Sequence, residues 1–146
     1  MRKHEIPVIL KDSSERLIFA PNHGGARVIN ETVLIIDDDK ITRDSLQMFL
    51  EFEGFIVSSC ESGVAALDLI SKKHFEMLLI DYQMPGMNGD ELTKRLRPLC
   101  PDAFILGCSL ESKDQAFLRA GADAFLSKYQ LVQKLVPLIN DALRLE

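Results

Sequence analysis

From residue 33 onward, short apolar runs alternate with longer stretches whose apolar residues recur every three or four positions. The runs are VLII (33–36), FIVSS (55–59), MLLI (77–80), AFILGC (103–108) and ADAFL (122–126). Near-continuous apolar runs of this length predict strands covered on both faces. The intervening periodicity predicts helices over about 41–53, 62–73, 89–97, 112–120 and 130–145. The first is expected to bury Ile41, Met48, Phe49 and Phe52, and the second Val64, Leu67 and Leu69/Ile70. The last aligns Leu131, Leu135, Ile139 and Leu143. Gly54 and Gly121 stand where helices should stop. Pro137 predicts a bend in the last helix or irregular first turns, because an interior proline loses a backbone hydrogen bond. Strand–helix units in succession imply an α/β fold, a five-stranded parallel sheet wound on both faces.

Residues 1–30 do not follow the alternation. IPVIL (6–10) and RLIFA (16–20) flank the polar KDSSE, and NHGGA follows like a joint. This extension reads either as a poorly ordered tail or as a hairpin, with the regular domain occupying 31–146. It carries five Lys/Arg against three Asp/Glu, whereas the remainder carries 12 against 19. An acidic body is a poor match for nucleic-acid phosphates, so direct nucleic-acid binding is not expected. No apolar run approaches a membrane span and no secretory leader is evident, which makes the cytoplasm the default location. Cys60, Cys100 and Cys108 lie far apart without metal-ligand spacing, and reduced packed thiols are the plain reading.

In an open parallel sheet, ligands bind beyond the carboxyl ends of the strands. Asp37, Asp38 and Asp39 follow VLII, Asp81 follows MLLI, Ser109 follows AFILGC, and Ser127 and Lys128 follow ADAFL. Four strand ends therefore bring carboxylates, hydroxyls and an ammonium to one face. Crowded carboxylates repel by about 4 kcal/mol per close pair at an effective dielectric of 20. A hard divalent cation relieves that conflict, and magnesium suits a site of one or two carboxylates, a carbonyl and waters. Asp39 is the expected cap of the first helix.

VLIIDDD, LLIDYQMPGMNG, GCSL and GADAFLSK occur in this order and at compatible spacing. Together they resemble the response regulator receiver domain of two-component signalling, over residues 33–145. The resemblance implies a flavodoxin-like (βα)5 fold and phosphorylation of Asp81 by a sensor histidine kinase or phosphotransfer protein. It implies Mg2+ held by Asp38, Asp81 and the Gln83 carbonyl, with Asp37 holding coordinated water. Lys128 would neutralise the phosphoryl oxygens, and Ser109 would bond one of them after transfer. Phe125 matches the family's switch aromatic. Output would run to a downstream protein effector, with homodimerisation open and no membrane partner. Such a chain is a self-phosphorylating and self-dephosphorylating acceptor rather than a turnover enzyme.

Three positions depart from the family pattern. Tyr129 stands where proline usually follows the lysine, so a trans Lys128–Tyr129 bond is expected. Leu110 replaces a small residue after the hydroxyl, and Phe125 replaces the common tyrosine. Two other readings compete: a receiver-shaped adaptor that works without phosphate, and a haloacid-dehalogenase-like phosphatase built on the D-x-D at 37–39.

Overall fold

The computed structural model describes Val8–Lys11, Leu17–Ala20 and residues 31–144. Strands β1 (Val8–Lys11) and β2 (Leu17–Ala20) pair antiparallel, Val8 opposite Ala20 and Lys11 opposite Leu17. The strand pair expected on either side of KDSSE thus forms. The rest of residues 1–30 lies outside the described residues.

The main sheet contains β3 (Thr32–Ile36), β4 (Ile56–Cys60), β5 (Met77–Asp81), β6 (Phe104–Ser109) and β7 (Ala124–Ser127). Their order is β4-β3-β5-β6-β7, and every neighbouring pair is parallel. Helices α1 (Lys40–Phe52), α2 (Gly63–Lys72), α3 (Gly89–Leu96), α4 (Asp114–Ala120) and α5 (Leu131–Ala142) connect and close it. This is the α/β arrangement that the alternation predicts. The strand order reverses between β3 and β5, which opens a crevice at their carboxyl ends.

Alternating side chains of each strand feed two separate cores. Leu34, Ile36, Leu78, Ile80 and Ile105 pack with Ala66, Leu92, Leu96 and Phe117 on one face. Val33, Ile35, Met77, Leu79 and Leu106 pack with Leu46, Leu50, Leu131, Leu135 and Ile139 on the other. Burying a side chain of this size stabilises the fold by about 1.5–3 kcal/mol, so both cores are needed to hold β3 and β5 fixed.

The inward phase of α1 differs from expectation. Leu46 and Leu50 are its buried residues, whereas Ile41 is 77% exposed and Met48 72%. Apolar residues occupy both faces of this helix, and only contact with the sheet selects between them. Val64 of α2 is also exposed, and Ala66 takes the fully buried position. In α5, Leu131, Leu135 and Ile139 are buried as expected. That helix runs through Pro137 and is preceded by a 3-10 turn, Lys128–Gln130, so its start is the irregular part.

The ends of the helices follow local chemistry. The Asp39 carboxylate caps α1, accepting from the Thr42 N–H at 3.0 Å. Ser62 caps α2 through the Ala65 N–H at 3.1 Å. Gly121 ends α4 at φ 108°, a left-handed conformation that favours glycine. Among the described residues no peptide bond is cis, as expected before Tyr129.

Arg97, just after α3, ties the opposite end of the sheet together. Its guanidinium donates to the carbonyls of Cys100, Pro101, Ala103 and Gly121 and to the Asp123 carboxylate. Asp123 in turn accepts from the Ile105 N–H at 2.8 Å. One side chain therefore joins the end of α3, the start of β6 and the α4–β7 turn.

Candidate functional site: an acidic crevice at the strand ends

The crevice is built where β3 and β5 end side by side. Ile36 pairs with Ile80, so the next residues, Asp37 and Asp81, emerge together. Both are buried, Asp37 at 1% exposure and Asp81 at 5%, while Asp38 faces solvent. Oxygens from the three carboxylates lie within 4.8 Å of one another. Among the described residues this is the one group of three or more acidic, histidine or cysteine side chains placed to hold a metal ion.

Lys128 enters from the end of β7. Its Nζ lies 2.9 Å from Asp37 Oδ2 and 2.9 Å from Asp81 Oδ1. Asp37 is further fixed: its Oδ1 accepts from the Asp39 N–H at 2.9 Å, and its carbonyl accepts from Arg43 at 2.8 Å. A single ammonium thus faces two buried acids with a third nearby. Burial pushes the Asp81 carboxyl up to about 6, and the charges of Asp37 and Asp38 add to that rise against the opposing Lys128. Burial disfavours the Lys128 charge, but hydrogen bonds to Asp81 and Asp37 outweigh it and raise its pKa. The excess of negative charge makes this a fitting donor set for a hard divalent cation.

The other predicted residues fall around this centre. Ser109 is buried at the end of β6, and its Oγ accepts from the Glu111 N–H at 3.1 Å. Gln83 is exposed in the loop after β5, between the half-buried Tyr82 and the buried Met84. Phe125 is half-buried on β7 against the core, its ring centroid 5.9 Å from that of Phe117. Leu110 is exposed beside Ser109.

The loop from Asp81 to α3 is folded back tightly. Tyr82 N–H donates to the Cys108 carbonyl at 3.1 Å, and Gly89 N–H donates to the Tyr82 carbonyl at 2.7 Å. A Cβ on Gly89 would collide with the Asp81 carbonyl oxygen, so glycine is what lets α3 start this close. Met84 and Met87 are buried in the core as packing residues.

Two contributors escaped the sequence reading. Phe117, fully buried on α4, lies over Gly107, where any Cβ would come within 2.3–2.5 Å of its ring carbons. Its ring also meets Tyr82 edge-on at 5.9 Å, while Lys113 Nζ sits 4.6 Å from the Tyr82 ring centroid. Nothing local marks Phe117 as special; a glycine two residues before Ser109 was the available signal. Ser127, in the sequence simply a hydroxyl at a strand end, accepts the Tyr129 N–H at 3.3 Å.

Fold and site together define a domain that presents a lysine-braced acidic crevice at a parallel sheet's switch point. Residues 33–140 match the response regulator receiver domain family, and the chain belongs to that family. It is 35% identical over 115 residues to the response regulator MprA of a Mycobacterium species, covering 77% of this chain and 50% of that protein. The chain thus spans about half the length of the curated relatives it matches. Among solved structures, the response regulator TrrA of Thermotoga maritima, in complex with Mg2+ and beryllium fluoride, aligns with a TM-score of 0.71 at 25% identity. That alignment covers 77% of this chain and 98% of TrrA. The chemotaxis response regulator CheY4 of Vibrio cholerae aligns with a TM-score of 0.72 at 26% identity, covering 77% and 98%. Among the described residues no helix is long and apolar enough to cross a membrane.

Proposed function

We propose that this chain accepts a phosphoryl group on Asp81 in a magnesium-dependent transfer from a histidine kinase or phosphotransfer protein. The observation that carries this reading is Lys128 Nζ standing 2.9 Å from both Asp37 and Asp81, at the ends of three different strands. Asp38 and Asp81, with the Gln83 carbonyl, are the residues that would hold magnesium, with Asp37 orienting a coordinated water. When bound, magnesium supplies positive charge that offsets the three acids and the incoming phosphoryl oxygens.

An ionised oxygen of Asp81 attacks phosphorus, forming the new O–P bond while the bond from phosphorus to the donor breaks. The donor leaves with that electron pair; a phosphohistidine donor regains its imidazole and takes up a proton. Phosphoryl transfer requires positioning and neutralisation more than covalent chemistry from the protein. Lys128 already lies against Asp81 and needs only a small shift to meet a phosphoryl oxygen. Its pairing with Asp37 keeps it in the crevice while Asp81 reacts. Water later cleaves the acyl phosphate, so the domain is labelled transiently and is not a turnover enzyme.

Ser109 exchanges its role as acceptor of the Glu111 N–H for a bond from its own hydroxyl to the phosphoryl group. The loop after β6 moves inward, and Phe125 follows into the released space beside Phe117. The face carrying α4, β7 and α5 then presents a changed surface to a downstream protein effector.

Intact mass after incubation with magnesium and acetyl phosphate tests the reading. One added phosphoryl group is expected, absent in Asp81→Asn and absent when magnesium is chelated. If neither acetyl phosphate nor beryllium fluoride engages Asp81, the phosphate-independent adaptor becomes the better account.

A further inference from the structure

The loop that carries Lys128 lacks the proline that usually follows this lysine, yet the ammonium reaches both buried acids. Tyr129 is 79% exposed, so its ring does not pack the loop into place. What the residue supplies is a backbone N–H, which a proline could not. That N–H donates to Ser127 Oγ at 3.3 Å, with Ser127 at φ −62° and ψ 140° as the cap of the 3-10 turn. Ser127 itself is the last residue of β7 paired with β6, opposite Ser109. Beyond the turn, Leu131 is buried in the core, and its N–H returns to the Lys128 carbonyl. Lys128 is therefore held between a fixed strand end and a fixed helix start, and the Ser127–Tyr129 contact spans the turn between them.

We infer that Ser127 is a positioning residue for Lys128: its hydroxyl, by capping the Tyr129 N–H, aims the ammonium at the crevice in place of a proline. The inference rests on the phosphoacceptor reading for its consequence, but not for its geometry. Ser and Thr hydroxyls make this turn of two residues readily, and alanine cannot. Side chains at such a site can tolerate little misplacement, because catalytic groups act only near productive geometry.

The test compares Ser127→Ala, Ser127→Thr and Tyr129→Pro with the parent chain. Amide hydrogen exchange of Tyr129 reads the contact without any phosphate chemistry, and Ser127→Ala is expected to speed it several-fold while Ser127→Thr does not. Labelling by acetyl phosphate is expected to slow about three- to tenfold in Ser127→Ala, the range one neutral hydrogen bond spans. Ser127→Thr restores the rate, and magnesium affinity falls in neither variant. Combining Ser127→Ala with Tyr129→Pro is expected to label at the rate of Tyr129→Pro alone, since proline leaves no N–H for Ser127 to cap. Unchanged labelling in Ser127→Ala, an equal loss of magnesium affinity, or failure of threonine to rescue would overturn the inference. If the parent chain takes no phosphoryl group, the phosphoacceptor reading fails, while Tyr129 exchange still reports whether the contact exists.

Discussion

Ser109 and Ser127 stand opposite each other at the ends of β6 and β7, and each hydroxyl accepts the N–H of the residue two places on. The two loops that flank the crevice thus begin with the same local hydrogen bond. Their burial differs: Ser109 is buried and Ser127 is half-buried. Only Ser109 is assigned a phosphoryl contact. In Ser109→Ala, uptake of phosphate from acetyl phosphate is expected to persist because Asp81 remains. Beryllium fluoride should then shift the amide resonances around Phe125 and α4 much less than in the parent. Equal shifts in both would remove Ser109 from the switch.

Asp81 links the site to stability. Its carboxyl titrates at about 6 in the fold, against an ordinary value of 3.8, with burial as the main cause. Between those pH values the folded chain binds more protons than the unfolded chain, so stability falls as pH rises through the window. At 1.36 kcal/mol per unit the upper bound on the loss is about 3 kcal/mol, which solvent screening in the open crevice lowers. Asp81→Asn has no such titration. Urea melts in chelator should find it more stable than the parent at pH 7.5, with the advantage shrinking toward pH 4. A less stable variant at pH 7.5 would mean that pairing with Lys128 outweighs burial.

Lys128→Ala should do the opposite. Asp37 and Asp81 would keep their burial and lose their cation, a change expected to destabilise the magnesium-free chain by about 3 kcal/mol. Added magnesium should recover a larger share of stability in this variant than in the parent, because the crevice then has no other positive charge so near. Thermal melts across a magnesium series measure the difference, and parallel curves would argue against a shared site.

Gly107 leaves no room for a side chain under Phe117. Gly107→Ala should destabilise by about 1–3 kcal/mol through overpacking. Adding Phe117→Leu should recover part of that loss, although the same substitution alone is destabilising. Non-additive urea midpoints would establish the pairing, and simple addition would refute it.

Arg97 should behave as a structural residue remote from the crevice. Its removal leaves several half-buried carbonyls and Asp123 without their donor, so Arg97→Ala is expected to lower stability by about 2–4 kcal/mol. Initial labelling of folded Arg97→Ala by acetyl phosphate should remain close to that of the parent. Selective loss of labelling without loss of stability would require another role.

How much of this was legible beforehand depended on whether local pattern or distant packing made the choice. Asp37, Asp81, Ser109 and Lys128 could be grouped because each follows an apolar run, and parallel strands deliver their ends to one face. The capping role of Asp39 and the stop at Gly121 depended on a few neighbouring residues. The face of α1 did not. Ile41, Met48, Phe49 and Phe52 make a helical stripe of which only Phe49 packs on the core, Leu46 and Leu50 make another, and only the position of β3 and β5 decides between them. Arg97 was equally opaque, since its acceptors are carbonyls whose approach is created by the fold. Ser127 was visible as a hydroxyl beside the lysine, but its use depended on Tyr129 turning its ring to solvent.

The seat of Phe117 has a mechanical consequence. The ring sits against Gly107 in the sheet and beside Gly89 at the start of α3, with Tyr82 and Phe125 on its flanks. A close-packed interior transmits strain rather than absorbing it. Sliding α4 along the sheet would drive the Phe117 ring into the backbone of Gly107 or Gly89. One side chain therefore couples α4 mechanically to β6 and to the start of α3.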